Sequence, residues 1–296
     1  MARDVAMLWW VMCAVASLVL LAVTTLWLHG MYRTPRPVDA RRARTLTLRW
    51  LVGGGLLLPS VSIILLLAFG VPIGQRMLPL PLPGEPPLRI EVIGHQWWWE
   101  VRYPQSGVVT ANQLHLPAGQ PVDLDVSSAD VIHAFWVPRL GGKIDMIPGR
   151  HNRIRLQADA PGVFRGQCSE FCGTQHSHMI IDVQAQTPAD FQAWLQARRQ
   201  PQIDALPGAA GATFQTRCGQ CHRVAGISEG ARGLDLSDVG SRANLGAGVL
   251  ANEPGAIGRW LREHTRLKPG NAMPHHDDLA PEQLDAIADW LETLNP

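Results

Sequence analysis

The run Cys168-Ser169-Glu170-Phe171-Cys172-Gly173-Thr174-Gln175-His176-Ser177-His178-Met179 brings thiols, imidazoles and a thioether into one short segment. Soft thiolates with an imidazole and a weak thioether suit copper in an electron-transfer role, and two thiolates in one loop can bridge a pair of metal ions. A structural disulfide between Cys168 and Cys172 is one alternative, which an oxidising compartment would favour. A zinc loop is another, with His176 and Met179 as ordinary strand residues. A second cluster tips the balance: Cys218-Gly219-Gln220-Cys221-His222 has the attachment pattern of c-type haem, two cysteines for thioether bonds followed by the axial histidine. Two redox motifs in one chain point to an electron carrier.

Each cluster needs a partner from elsewhere in the chain. For the cysteine loop the best upstream candidate is His133, in Asp130-Val131-Ile132-His133-Ala134-Phe135-Trp136, although a lone histidine among apolar residues is as often a core side chain. For the haem, Met273 in Lys268-Pro269-Gly270-Asn271-Ala272-Met273-Pro274 is the leading sixth ligand, and His264, His275 and His276 compete with it. Methionine opposite histidine gives the higher-potential coordination of electron-transfer cytochromes. A thiol-redox reading of Cys218 and Cys221 would want a βαβ setting. None is visible around them.

The elements that must position these residues begin in a membrane. Val5 to Leu28 and Trp50 to Ile73 are each almost wholly apolar and long enough for the roughly 20 residues that cross a bilayer. Trp9, Trp10, Trp27 and Trp50 lie near their ends, where aromatic residues settle at the interface. No polybasic start or small-residue cleavage pattern marks a signal peptide, so the first span is expected to be retained. Arg33, Arg36, Arg41, Arg42, Arg44 and Arg49 stand between the spans against the single acid Asp39, which places that loop in the cytoplasm and both termini outside. Cys13 is a small residue within the first span. With 17% charged residues and a net charge of +1, the composition gives no support for nucleic-acid binding.

Prolines crowd Val71 to Pro87, the composition of a stiff, extended linker. Beyond it, alternation in Leu88-Arg89-Ile90-Glu91-Val92, Val122-Asp123-Leu124-Asp125-Val126 and Ile154-Arg155-Leu156 predicts short antiparallel strands and a β-sandwich of about 100 residues. Thr187-Pro188-Ala189-Asp190 starts a short helix with Phe191, Trp194 and Leu195 on its apolar side, and Gln200 to Gly211 reads as a second linker. Helices are expected over Gly211 to Cys221, Pro254 to Glu263 and Pro281 to Leu294. The organisation is thus 1–87 for the hairpin and Pro-rich linker, 88–186 for the sandwich, 187–210 for a helix and linker, and 211–296 for an all-α haem domain.

Residues 88 to 185 resemble the periplasmic domain of cytochrome c oxidase subunit II. The stretches that carry the resemblance are Gly94-His95-Gln96-Trp97-Trp98-Trp99, the segment from Asp130 through Val137-Pro138 to Ile147-Pro148-Gly149-Arg150, and the cysteine loop. With the hairpin, it covers roughly residues 5 to 195. The resemblance implies a cupredoxin-like fold and a binuclear copper centre, CuA. Cys168 and Cys172 would bridge the coppers, His133 and His176 would each give an imidazole, Met179 its thioether and Glu170 its backbone carbonyl. The Glu170 carboxylate would serve a magnesium or manganese site shared with subunit I, and Trp97 would be where electrons reach the copper centre. His178 has no part in the pattern. The C-terminal region is similar to class I cytochromes c, and the whole resembles the caa-type haem-copper oxidases.

That resemblance implies an electron-transfer subunit in a bacterial inner membrane with its redox domains on the periplasmic side. Electrons would pass from a cytochrome c donor through haem c and CuA to an oxygen-reducing subunit I of a proton-translocating oxidase, and this chain would hold no catalytic site of its own. The haem region carries 11 acids against 8 basic residues, a net of −3 that could steer a basic donor. One departure concerns the proton path: relatives often carry a glutamate near the cytoplasmic end of the second helix, yet no acid occurs between Asp39 and Glu85. Rival readings are the CuA subunit of a nitric oxide reductase, a membrane-anchored copper-delivery protein, and a quinol oxidase subunit, which would lack the copper ligands.

Overall fold

The computed structural model describes residues 2–34, 37–199 and 201–295. Arg36 of the basic loop, Gln200 of the second linker and the two terminal residues lie outside them. The chain divides into two compact units that meet between Leu80 and Pro81.

The first unit is a pair of apolar helices. α1 spans Ala2–Tyr32; the second helix runs as α2 (Ala40–Arg49), a π-helical stretch over Trp50–Leu57, and α3 (Leu58–Met77). Both are long and apolar enough to cross a membrane. Asp39 caps α2, its Oδ1 accepting the Arg42 N–H at 2.8 Å, so Arg41, Arg42, Arg44 and Arg49 sit on helix and not in the predicted loop. The π-helical stretch has a local cause. Pro59 has no N–H and its ring crowds the preceding turn, and widening that turn through Gly53 to Gly55 relieves both; the Leu58 N–H bonds the Gly53 carbonyl five residues back. α3 continues through Pro72, so the extended linker starts at Leu78, later than its prolines suggested. There the backbone turns extended before Pro79.

The second unit opens with two five-stranded sheets packed as a cupredoxin-like sandwich. β1 (Leu88–His95), β2 (Trp98–Tyr103), β3 (Val108–Ala111), β4 (Gln113–Pro117), β5 (Val122–Ser128), β6 (His133–Trp136), β7 (Ile144–Met146), β8 (Asn152–Leu156), β9 (Gly162–Cys168) and β10 (Ile180–Gln186) order as β3-β2-β1-β5-β8 and β4-β10-β9-β6-β7. The alternation does its expected work: Ile90, Val92, Leu124 and Val126 face inward and are fully buried. The pairing is mixed, however, because β1 runs parallel to β5 and β4 parallel to β10. A parallel pair needs a long crossover. The segment from β2 to β4 supplies one between β1 and β5, which strand-by-strand alternation cannot reveal.

α4 (Pro188–Arg199) closes one end. Thr187 caps it, accepting the Asp190 N–H at 3.2 Å, and Phe191, Trp194 and Leu195 bury against the sandwich core. The cytochrome-like part follows: α5 (Gly208–Thr213) passes into a π-helical turn Phe214–Cys218, and α6 (Ala256–Leu267) and α7 (Pro281–Glu292) pack around Phe214, Leu261, Ile287 and Leu291. Two small hairpins, β11–β12 (Arg223–Val224 with Ser228–Glu229) and β13–β14 (Asn244–Leu245 with Leu250–Ala251), interrupt what composition suggested was all helix.

This part is fastened to the sandwich by buried polar contacts. The Asp238 carboxylate accepts from Thr110 Oγ1 at 2.9 Å and Gln113 Nε2 at 2.8 Å on the sandwich, from Arg198 of α4 at 3.4 Å, and from Arg242 Nε at 3.0 Å. Burial alone would raise its pKa, but the two guanidinium groups and these hydrogen bonds hold it below the ordinary value. Asn244 donates to Asp182 at 2.6 Å and the Ile180 N–H to Ala247 O at 3.0 Å along the same seam.

His115 of β4 gives the fold a pH signature. Its ring is stacked on Trp194 at 4.0 Å, its Nδ1 lies 3.0 Å from Gln186 Oε1, and burial pulls its pKa from 6.5 down to about 4. Between those values the unfolded chain binds a proton that the folded chain does not, so stability is complete above pH 6.5 and is lost as pH falls towards 4. Thermal unfolding at stepped pH should show this acid-side loss, reduced in His115→Gln. Equal slopes in both proteins would assign the loss to other groups.

Candidate redox site

Six sequence-predicted residues meet at the end of the sandwich where β6, β9 and β10 come together. β9 delivers Cys168, the loop after it supplies Glu170, Cys172 and His176, β10 is preceded by Met179, and β6 begins at His133. The two sulfurs stand 3.8 Å apart, well beyond the roughly 2.05 Å of a disulfide. Around them lie His133 Nδ1 at 3.9 Å from Cys168, His176 Nδ1 at 3.6 Å from Cys172, Met179 Sδ at 3.9 Å from Cys172, and the Glu170 carbonyl at 3.2 Å from Cys168. The nearest donors of His133, Cys168 and Cys172 all fall within 4.8 Å of one another, close enough to hold a metal ion.

The surroundings prepare these donors for a metal. Cys168 is pushed below its ordinary pKa and Cys172 above it, the largest cause in each being the hydrogen bond the two sulfurs share, with burial opposing the first shift and adding to the second. A soft cation would replace that shared proton and let both sulfurs ionise. His133 Nε2 lies 2.8 Å from Asp130 Oδ1, which turns Nδ1 towards the sulfurs. Burial lowers the His133 pKa, and the Asp130 carboxylate outweighs it. Gly94 leaves room for this ring: a Cβ there would lie 2.9 Å from His133 Cδ2. The Glu170 carboxylate points elsewhere, to Lys143 Nζ at 3.3 Å, and His178 is exposed on the turn His176–His178.

The aromatic segment divides its labour. Trp99 is fully buried core, Trp98 stacks on His95 at 4.1 Å, and Trp97 donates its indole N–H to Cys172 O at 2.9 Å beside the Gln96 amide at 2.8 Å. Trp97 and Trp98 also line a cavity of about 350 Å³ whose other walls include Cys218, Cys221, His222 and Met273. Cys218 and Cys221 are not joined to each other as a disulfide. His222 Nδ1 lies 2.8 Å from Leu234 O, leaving Nε2 as the available ligand atom, and burial lowers its pKa. A Cβ at Gly233 would come within 2.6 Å of the His222 ring, so glycine is what lets the chain pass there. The cavity, the paired cysteines and the imidazole fit a covalently attached haem, and Met273 lines the same cavity. Of the competing histidines, His264 and His276 are buried, and only His276 of the three lines the cavity.

Sequence reading missed Asp130, Asp238 and Lys268. Asp130 had a detectable signal, standing three residues before His133 in a turn. Asp238 and Lys268 act across more than 120 residues and carry no local mark.

Residues 105–186 match the family model for the periplasmic domain of cytochrome c oxidase subunit II, and residues 209–295 match that for cytochrome c. The chain is 32% identical over 298 residues to cytochrome c oxidase subunit 2 of Alkalihalophilus pseudofirmus, an alignment covering 96% of this chain and 84% of that protein. It is 32% identical over 220 residues to the protein of the same name from Bacillus sp. (strain PS3), covering 69% and 62%. A crystal structure of the periplasmic domain of cytochrome oxidase subunit II from Bradyrhizobium japonicum aligns at 32% identity with a TM-score of 0.38, covering 40% of this chain and 97% of that one.

Asp130 offers a direct test of the copper-side geometry. Carboxylates that orient a ligating imidazole are typically worth 10- to 100-fold in metal affinity, so Asp130→Asn should bind copper about 10- to 100-fold more weakly in chelator competition. Unchanged affinity would mean that the sandwich alone aims the His133 ring.

Proposed function

The chain belongs to the cytochrome c oxidase subunit II family, and from that premise we propose that it is the electron-transfer subunit of a bacterial terminal oxidase. In this reading electrons pass from a cytochrome c donor to haem c, then to a binuclear copper centre, and on to an oxygen-reducing subunit I. The observation that carries it is the convergence of two thiols, two imidazoles, a thioether and a carbonyl around a sulfur pair 3.8 Å apart. Soft donors of this kind select copper, and the shared sulfurs suit two ions.

Haem and copper supply the one-electron chemistry when bound. The chain's own residues do the rest. Cys168, Cys172, His133, His176, Met179 and the Glu170 carbonyl would hold the copper. Cys218 and Cys221 would attach the haem, and His222 and Met273 would hold its iron. Trp97 fills the ground between the two sites and is bonded to the Cys172 carbonyl. The Glu170 carboxylate, which faces away from the sulfurs, is left for a magnesium or manganese ion shared with subunit I. Burial of both cysteines excludes water from the sulfurs, and a rigid sandwich limits the rearrangement that a change of charge would otherwise cost.

The two apolar helices anchor the chain in a membrane. The arginines before and within α2 assign the connection between the spans to the cytoplasm and the redox domains to the periplasmic side of an inner membrane.

Purified with its partner subunits, the full chain should carry about two coppers and about one covalent haem, and the complex should consume oxygen with reduced cytochrome c. Cys172→Ser should lose copper, keep the haem and reduce oxygen uptake to background. A chain that takes up zinc in place of copper, or joins Cys168 to Cys172 as a disulfide after copper loading, would overturn the copper assignment. Nitric oxide turnover without oxygen uptake would reassign the partner enzyme.

A further inference from the structure

Lys268 follows the last residue of α6 and opens the loop that leads to Met273. A lysine ammonium is strongly hydrated, and burying it costs several kcal/mol unless its donors are satisfied. Here the residue is 3% exposed and all three N–H donors find acceptors: Gly246 O at 2.6 Å, Trp97 O at 2.7 Å and His178 O at 2.9 Å. Among the described residues no carboxylate forms an ion pair with it, and burial pulls its pKa from 10.5 down to about 7.

The three carbonyls come from three different segments. Trp97 is bonded through its indole to Cys172 O; His178 stands between the copper-side residues His176 and Met179; Gly246 lies in the turn of the β13–β14 hairpin. On the other side, Lys268 is tied to the haem loop by Asn271, whose Nδ2 donates to Lys268 O at 2.8 Å and whose Oδ1 accepts the Met273 N–H at 3.0 Å. Gln175 Nε2 adds a bond to Pro269 O at 3.0 Å. The same loop lies over Trp97: a Cβ at Gly270 would sit 3.6 Å from the indole Cη2, and Trp97 is only 9% exposed.

Resting on the electron-transfer reading above, we propose that Lys268 is a positioning residue for the step between haem and copper. Its single buried nitrogen clamps the haem-ligand loop onto Trp97 and the copper loop, and the clamped loop closes the Trp97 face to any external donor, which must then deliver to the haem. The step is the passage of one electron from reduced haem c to the oxidised copper pair, with no bond made or broken. Asp238 holds the far part of the seam, so removing Lys268 loosens the clamp without separating the two halves.

The test uses the full chain in its assembled complex, with haem c reduced by a flash and transfer to copper followed optically. Lys268→Met should keep both copper and haem, slow the transfer about tenfold or more, and, below about pH 7 where Lys268 carries its proton, lower the midpoint potential of the copper pair because a nearby positive charge is gone. Lys268→Arg should restore the potential but not the rate, since a planar fork cannot offer three N–H groups from one nitrogen to three converging carbonyls. A loaded Lys268→Met that transfers at the wild-type rate overturns the proposal. If Lys268→Met loses either group, Lys268→Arg decides, and a wild-type rate in that variant overturns it. A wild-type chain without copper or haem overturns the electron-transfer reading itself.

Discussion

Two buried sulfurs held 3.8 Å apart are the constraint around which this molecule is organised. Left without a cation, such a pair can keep only one thiolate comfortably, because the second negative charge would lie beside the first in a poorly solvated site. The scaffold keeps the sulfurs apart by fixing them from several directions. Cys168 is held in β9, with its N–H bonded to Met179 O at 3.0 Å, while Cys172 is held through its carbonyl by Gln96 and Trp97. With those ties in place the sulfurs stand well outside the roughly 2.05 Å of a disulfide. The fold itself therefore sets the spacing of the donors.

The same economy governs the join between the sandwich and the cytochrome-like part. They form one compact unit, with a seam rich in buried polar contacts at Asp238, Asp182 and Lys268. An apolar seam of equal area would tolerate small slides, since dispersion and hydrophobic burial have little directionality. Buried hydrogen bonds are intolerant of them, because each lost partner leaves an unsatisfied group whose desolvation has already been incurred. A polar seam thus selects one orientation, at some cost in raw stability.

How much of this was legible beforehand depends on sequence distance. The Cys168–Met179 loop and the Cys218–His222 motif could be read directly because their donors lie within a few residues and their spacing is the chemistry. The β-sandwich followed from alternation in segments such as Leu88 to Val92, its cupredoxin-like character from the family resemblance, and the helix at Pro188 from its Thr187 cap. The parallel pairing of β1 with β5 was hidden, since alternation reports which face a side chain takes and not which strand lies beside it. Pro72 misled for a related reason: a proline counts against a helix only where its lost hydrogen bond matters, and in a span that satisfies its backbone through the neighbouring turns the helix continues to Met77. Asp238 and Lys268 were invisible because their partners are chosen by tertiary packing.

The seam also bears on why a haem domain would be fused to a copper domain at all. A flexible tether would already raise the local concentration of a donor to the millimolar range, but each encounter would still have to find its orientation. With Trp97 buried under the Lys268–Met273 loop, that search has been removed: the haem cavity and the copper loop share a wall, and the indole in that wall is bonded to the Cys172 carbonyl. Preorganisation of this kind moves the orientational cost from every turnover to a single folding event. Under the proposed electron path, an external donor would need to recognise only the surface around the haem and nothing of the copper site, which would leave the two surfaces free to differ in charge and shape.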